Sequence, residues 1–177
     1  MRKIIYYVAT SADGYIARPD GGVEWLDRPR PKGSYGMGAF FKSVDTVLMG
    51  RETYEVGRKF GMEGHPGKKN YVFTRARRRR TRSQSVEFVR SPVGDFARGL
   101  RAEKGKDIWL MGGAALAASF LDEGQIDELF IHVVPVLIGE GIPLFQMRQR
   151  STSMSLISSH AYTDGVVRLH YSVQKPA

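Results

Sequence analysis

The 177-residue chain is 42% hydrophobic and 25% charged, a balance that supports one compact domain over residues 1–177 and excludes the low-hydrophobicity, high-charge profile of a disordered protein. It contains no cysteine, which excludes a disulfide frame, a thiolate metal site and a cysteine nucleophile and leaves the cytoplasm as the default compartment. The net charge of +9 includes Arg75, Arg77, Arg78, Arg79, Arg80 and Arg82 and falls to +3 once those six are set aside, so the excess reads as a local, solvated arginine loop.

After Met1, Arg2 and Lys3 the apolar run to Ala9 is too short for a signal-peptide core, and no membrane segment is expected after it. Lys3 to Ala9, Val44 to Met49, Tyr71 to Thr74, Val86 to Val89 and Ile108 to Met111 are β-branched and aromatic and predict five short, buried strands. Between them, Ser34 to Lys42, Glu52 to Phe60 and Pro92 to Lys104 have helical length, the last with a proline suited to a first turn. Strands alternating with helices predict a mainly parallel sheet. Ala114 to Leu121 predicts a short helix that stops at Gly124. Asp127 to Val136 predicts a long strand, followed by a loop with Pro135, Gly139, Gly141 and Pro143. Val167, Leu169, Tyr171 and Val173 alternate with polar residues, as in a strand with one buried face, and Asp164-Gly165 before it is a hairpin turn signal. The expected architecture is α/β, with a mixed, mainly parallel sheet of about eight strands and a carboxyl-terminal antiparallel hairpin.

Three strand ends carry the residues suited to an anionic ligand. Gly50 and Arg51 stand between a strand and a helix with Thr53 in its first turn, where free amides, the helix dipole and a bidentate guanidinium all favour phosphate. Alone, that pair reads equally well as a simple turn. Thr74 and Arg75 repeat the arrangement, and if the two strands are neighbours both arginines reach the carboxyl edge of the sheet, where an adenosine 2′-phosphate would fit. Gly112 and Gly113, followed by Ala114, would let a pyrophosphate approach the backbone, and a β-branched residue at Gly113 would disfavour any positive φ there; as an isolated pair they also suit a tight turn. The spaced dinucleotide fingerprint and the P-loop pattern are both missing.

In this order, Ser11-Ala-Asp-Gly-Tyr-Ile-Ala17, Val47-Leu-Met-Gly-Arg-Glu-Thr-Tyr54, Tyr71-Val-Phe-Thr-Arg75, Ile108-Trp-Leu-Met-Gly-Gly-Ala114, Ile126-Asp-Glu-Leu129 and Pro135-Val-Leu-Ile-Gly139 resemble the dihydrofolate-reductase-like family. The likeness is to its branch containing the riboflavin-biosynthesis reductase domain, and it spans residues 2 to 173. The resemblance implies a three-layer fold, NADPH as cofactor and a homodimer. It also implies cofactor contacts at Arg51 and Thr53 (phosphates), Thr74 and Arg75 (2′-phosphate), Gly112, Gly113 and Ala114 (pyrophosphate), and Ala9 and Ile16 (nicotinamide amide). Hydride would pass from NADPH to a small heterocyclic or phosphoribosyl substrate, as in 5-amino-6-(5-phosphoribosylamino)uracil reduction.

On the substrate side, the loop Val23-Glu-Trp-Leu-Asp27 supplies Trp25 as a substrate contact and Glu24 and Asp27 as candidate acids, although each carboxylate, near Arg28 and Arg30, reads as well as a solvated surface group. Gly33 to Lys42 contains no acid, which departs from the folate-reductase pattern and leaves dihydrofolate reduction as the alternative. Glu140, between two glycines, is a second candidate for the substrate opening. His132 reads as a packing residue in its strand and His65 as part of a surface loop. The four histidines show no metal-ligand spacing, and no metal is expected. A basic nucleic-acid-binding module ranks below the enzyme, because the arginine run has no interleaved aromatics.

Overall fold

The computed structural model describes residues 1–75, 85–149 and 151–175. In chain order it contains β1 (Ile4–Ser11), β2 (Tyr15–Ala17), α1 (Met37–Ser43), β3 (Val44–Gly50), α2 (Arg51–Lys59), β4 (Lys69–Phe73), β5 (Val86–Val89), α3 (Val93–Ala102), β6 (Asp107–Gly112), α4 (Ala114–Asp122), β7 (Glu128–Val134), β8 (Ile142–Pro143), β9 (Met154–Ala161) and β10 (Val167–Val173). Eight strands form one sheet in the order β5-β4-β3-β6-β1-β7-β10-β9, and β2 pairs with β8 in a small antiparallel sheet that the composition did not foreshadow. Pairings from β5 through β7 are parallel, and those of β10 with β7 and β9 are antiparallel. The expected mixed sheet and terminal hairpin are therefore present.

Helices cover both faces of the parallel strands, which is why β1 is apolar on both sides rather than alternating. Ile4 and Tyr6 join Leu48, Ile108, Leu110 and Phe120 in one core, while Ile5 and Tyr7 join Phe40, Val47, Met49 and Trp109 in the other. Each fully buried aliphatic side chain stabilises the fold by roughly 1.5–3 kcal/mol. Ion pairs pin the amino-terminal ends of the strands. The buried Arg2 guanidinium binds the Asp45 carboxylate and donates to Thr46 Oγ1 (2.7 Å), and Arg101 meets Asp127 at 2.7 Å. The carboxyl-terminal ends of β3, β4 and β6 lead into Arg51, Thr74-Arg75 and Gly113.

Three expectations change. The stretch from Ser34 is not helical at its start: Gly33, Ser34, Tyr35 and Gly36 have φ of 86°, 45°, 61° and 81°, a left-handed turn, and the α-helix begins at Met37. Two glycines make the reversal accessible, and a long-range bond described below holds Tyr35 in it. His65 is no simple surface residue, because its half-buried ring packs 4.8 Å from that of Trp109. The positive φ at the glycine pair belongs to Gly112 (124°), whereas Gly113 has φ −83° and caps α4. The peptide between them is cis.

Candidate active site at the carboxyl edge of the sheet

β4, β3 and β6 lie side by side, and their ends are level: Gly50 pairs with Phe73, and Met49 with Gly112. Arg51 and Thr74-Arg75 therefore leave the sheet from adjacent strands, as the neighbour condition required. Both arginines are exposed, and among the described residues neither has an ion-pair partner. Arg77 to Arg80 and Arg82 lie outside the described residues.

Gly50 packs directly on the glycine turn. A Cβ at Gly50 would sit 3.5 Å from the Gly113 nitrogen and 3.7 Å from the Gly112 oxygen, and a Cβ at Gly113 would sit 3.4 Å from Thr53 Oγ1. Gly50, Thr53 and Gly113 thus meet at one point, packed closely because two side chains are missing. It is flanked by the first turns of α2 and α4, and neither helix has a side-chain cap. Uncapped first-turn amides and two helix dipoles meet there, and Arg51 and Arg75 leave the adjacent strand ends, an arrangement suited to an anion.

Ala9, near the end of β1, is partly buried and lies opposite His132 of β7. Ile16 is held in β2 by a stitched pair of loops. The Asp13 carboxylate accepts from the Ile138 and Gly139 amides (3.1 and 2.8 Å), and the Leu144 amide donates to the Gly14 carbonyl at 3.2 Å. The Ser11 hydroxyl, first, and the Gly139 and Ile138 amides hold the Asp13 carboxyl below its ordinary range. The loop after β7 therefore supports the strand that carries Ile16.

The acids proposed from the sequence occupy the rim. Glu24 is exposed and ion-paired with Arg18, whose hydrogen bond holds the Glu24 carboxyl below the usual range, so it stands as a carboxylate. Asp27 and Glu140 are exposed. Trp25 is partly buried in a short 3-10 turn, with its indole Nε1 enclosed and without an acceptor.

On the α1 side of the sheet stands a polar group that sequence reasoning treated only as packing. His132 is 5% exposed, and its Nε2 lies 3.2 Å from Tyr7 Oη. Burial, first, and the Arg168 charge push its pKa down to about 4, against the Tyr35 and Val8 backbone oxygens that favour the charged ring. The ring is neutral at pH 7 and serves as a hydrogen-bonding group, not as an acid. Burial likewise raises the Tyr7 hydroxyl out of the physiological range. Tyr35 Oη donates to Asp164 Oδ2 at 2.5 Å, and Arg28 donates to the Asp164 carbonyl at 2.8 Å, tying the left-handed turn to the β9–β10 hairpin. The alternation of β10 marked Arg168 as a solvent-facing residue; the α1 layer covers that face instead.

A sheet of this order, with an anion-receptive crevice where three strand ends meet two helix starts, defines a protein of the dihydrofolate-reductase-like class. The chain belongs to the RibD C-terminal domain family, whose model matches residues 66–168. It is 39% identical over 171 residues to the uncharacterized protein YwjB of Bacillus subtilis, covering 96% of this chain and 97% of that one. A Shewanella sp. PV-4 protein provisionally assigned to riboflavin biosynthesis superimposes with a TM-score of 0.86 at 30% identity, over 99% of this chain and 100% of that one. Dihydrofolate reductase from Enterococcus faecalis, solved with NADP(H), shares the fold at a TM-score of 0.70 and 13% identity, over 98% and 97% of the two chains. The protein is thus an oxidoreductase-family chain on this fold, and no helix among its described residues is long and apolar enough to cross a membrane.

Proposed function

We propose that the protein is a single-domain, cytoplasmic, NADPH-dependent reductase acting on a small heterocyclic or phosphoribosyl substrate of the 5-amino-6-(5-phosphoribosylamino)uracil type. The observation that carries this reading is the close, side-chain-free meeting of Gly50 and Gly113 beside Thr53, with Arg51 and Arg75 on adjacent strand ends. NADPH, when bound, supplies the hydride. The chain's own residues bind and orient it: the first-turn amides of α2 and α4 and the Thr53 hydroxyl would take the pyrophosphate, and Arg51 with Thr74 and Arg75 would take the 2′-phosphate. Ala9 and Ile16 would present backbone groups to the nicotinamide amide. His132, neutral and buried, keeps a hydrogen-bonding surface beside that position without adding charge.

The test compares Arg51→Ala with wild type for NADPH and NADH by fluorescence titration. A lost charge-assisted bond to the 2′-phosphate is expected to weaken NADPH by about tenfold or more and NADH much less. Equal losses move Arg51 to the pyrophosphate, and no loss for either removes it from the site. Following NADPH absorbance with the riboflavin intermediate and with dihydrofolate then selects the substrate.

We also read the β9 edge as the face where two copies pair. All eight of its residues are exposed, including Met154, Leu156 and Ile157, and a cavity of about 280 Å³ lined by Leu121, Phe145, Met147, Met154 and Val173 opens beside it. A long exposed edge strand with apolar side chains needs a cover. Sedimentation velocity is expected to give a dimer that Ile157→Lys dissociates; a monomer at micromolar wild-type concentration would rule the pairing out.

A further inference from the structure

One rung of the sheet carries polar chemistry that cofactor binding does not use. Ala9 of β1 pairs with His132 of β7, His132 with Arg168 of β10, and Arg168 with His160 of β9. Their side chains share the α1 face. The Phe130 and His170 rings stack there 3.8 Å apart, and His132 and Arg168 stand two residues along the same strands, on the same side of the pleat. Adjacent strands are about 4.8 Å apart, which puts the Arg168 backbone roughly 10 Å from that of Ala9.

Arg168 is the anomaly on this rung. It is partly buried, its Nε is enclosed without an acceptor, and among the described residues its side chain has no hydrogen bond and no carboxylate within ion-pair distance. A buried donor is normally paired, because enclosing the Nε hydrogen without an acceptor costs about 1–3 kcal/mol. The one nearby acid on the hairpin, Asp164, is already engaged by Tyr35 and Arg28. The left-handed turn of residues 33–36 roofs the same place. A Cβ at Gly36 would lie 3.1 Å from Arg168 Nη1, and Tyr35 packs edge-on against Tyr162, which packs against His160. Two non-glycine residues kept in left-handed geometry over an unpaired cation mark a built site.

We propose that this rung is a substrate subsite: the reducible ring lies by Ala9 and His132, and an anionic tail, phosphate monoester or carboxylate, binds Arg168 beneath the Tyr35 turn. The assignment rests on the reductase reading for the position of the ring; the anion site itself does not. A fork of guanidinium donors matches either oxyanion in bidentate fashion, and the aromatic flank of Tyr35, Tyr162 and His160 suits the linker between ring and tail.

Calorimetric titration of the full chain, with and without saturating NADP⁺, by ribose 5-phosphate, ribose and p-aminobenzoylglutamate tests it. Ribose 5-phosphate or p-aminobenzoylglutamate is expected to bind and ribose not to; the tighter of the two identifies phosphate or carboxylate as the tail. Arg168→Gln should weaken the anion about tenfold or more, and Arg168→Lys, which keeps charge but not the fork, about threefold or more, while NADPH affinity stays within about twofold of wild type. If the Gln variant melts early, the Lys variant gives the reading. Wild type that binds NADPH but neither anion, or variants that bind the anion as tightly as wild type, would overturn the subsite and leave the reductase reading standing. Wild type that binds the anion but not NADPH would overturn the reductase reading and keep the Arg168 site.

Discussion

Gly113→Val is expected to cost about 100-fold in NADPH affinity, roughly 2.7 kcal/mol, with a smaller loss of folding stability. Gly113 is the cap residue of α4, and a Cβ there already reaches ordinary contact with the Thr53 hydroxyl at 3.4 Å. The two methyl groups of valine would extend toward Thr53 and the glycine turn, where the proposed pyrophosphate would approach the backbone. The backbone itself tolerates the change, because φ at Gly113 is −83°. Replacing a glycine cap by a β-branched residue costs folding only about 1 kcal/mol. Melting curves separate the two effects. With NADPH at about 100 times the wild-type Kd, wild type should gain roughly 2.7 kcal/mol of stability, and a variant weakened 100-fold only about 0.4 kcal/mol. A Gly113→Val variant that melts earlier but keeps the full NADPH gain would remove Gly113 from the cofactor site and leave it a packing role.

The second large effect is expected at Gly141, beside β8. A Cβ there would fall on the Ala17 carbonyl oxygen, closer than real Cβ atoms come, and also within 3.1 Å of the Tyr15 Cβ. The Ala17 carbonyl is backbone and cannot give way as a flexible side chain could. Gly141→Ala should therefore part β2 from β8 and cost about 3 kcal/mol, the upper end for overpacking, which for a chain of this size lowers Tm by roughly 6–12 °C. Gly139→Ala is the control. Gly139 has φ +81° and open space around it, so only the left-handed strain of about 1–2 kcal/mol applies. Because Ile16 sits on β2, Gly141→Ala should also weaken NADPH, and the Gly139 variant should do so less. Thermal melts that rank the two variants equally would mean that the β2–β8 contact is not the tight joint described.

Signals confined to a few consecutive residues were legible without a fold. Gly50-Arg51-Glu52-Thr53 and Gly112-Gly113-Ala114 each announce a strand giving way to a helix start, and α2 and α4 begin there. A strand that must be buried on both faces is apolar throughout, so β1, β3 and β6 were visible as runs. β9 was not located: Met154–Ala161 has neither alternation nor a buried face, being exposed at every residue. The helical reading of Ser34 failed for another reason. Its length and composition suited a helix, but the Tyr35 bond to Asp164, across a separation of 129 residues, holds the turn left-handed.

By itself the sequence determined the α/β class and the strand-to-helix joints, and it offered candidate anion-binding residues at two of those joints and at the end of β4, because each depends on local backbone geometry and hydrogen-bond donors that neighbouring residues set. Only the tertiary structure decided that β3 and β4 are adjacent, so that Arg51 and Arg75 leave the sheet together, and that Ala9, His132, Arg168 and His160 share one rung. It also decided which of the two glycines carries the positive φ. Those facts depend on strand order and register, which arise from packing between segments far apart in the chain, and a one-residue slip in register would send the side chains of that rung to opposite faces.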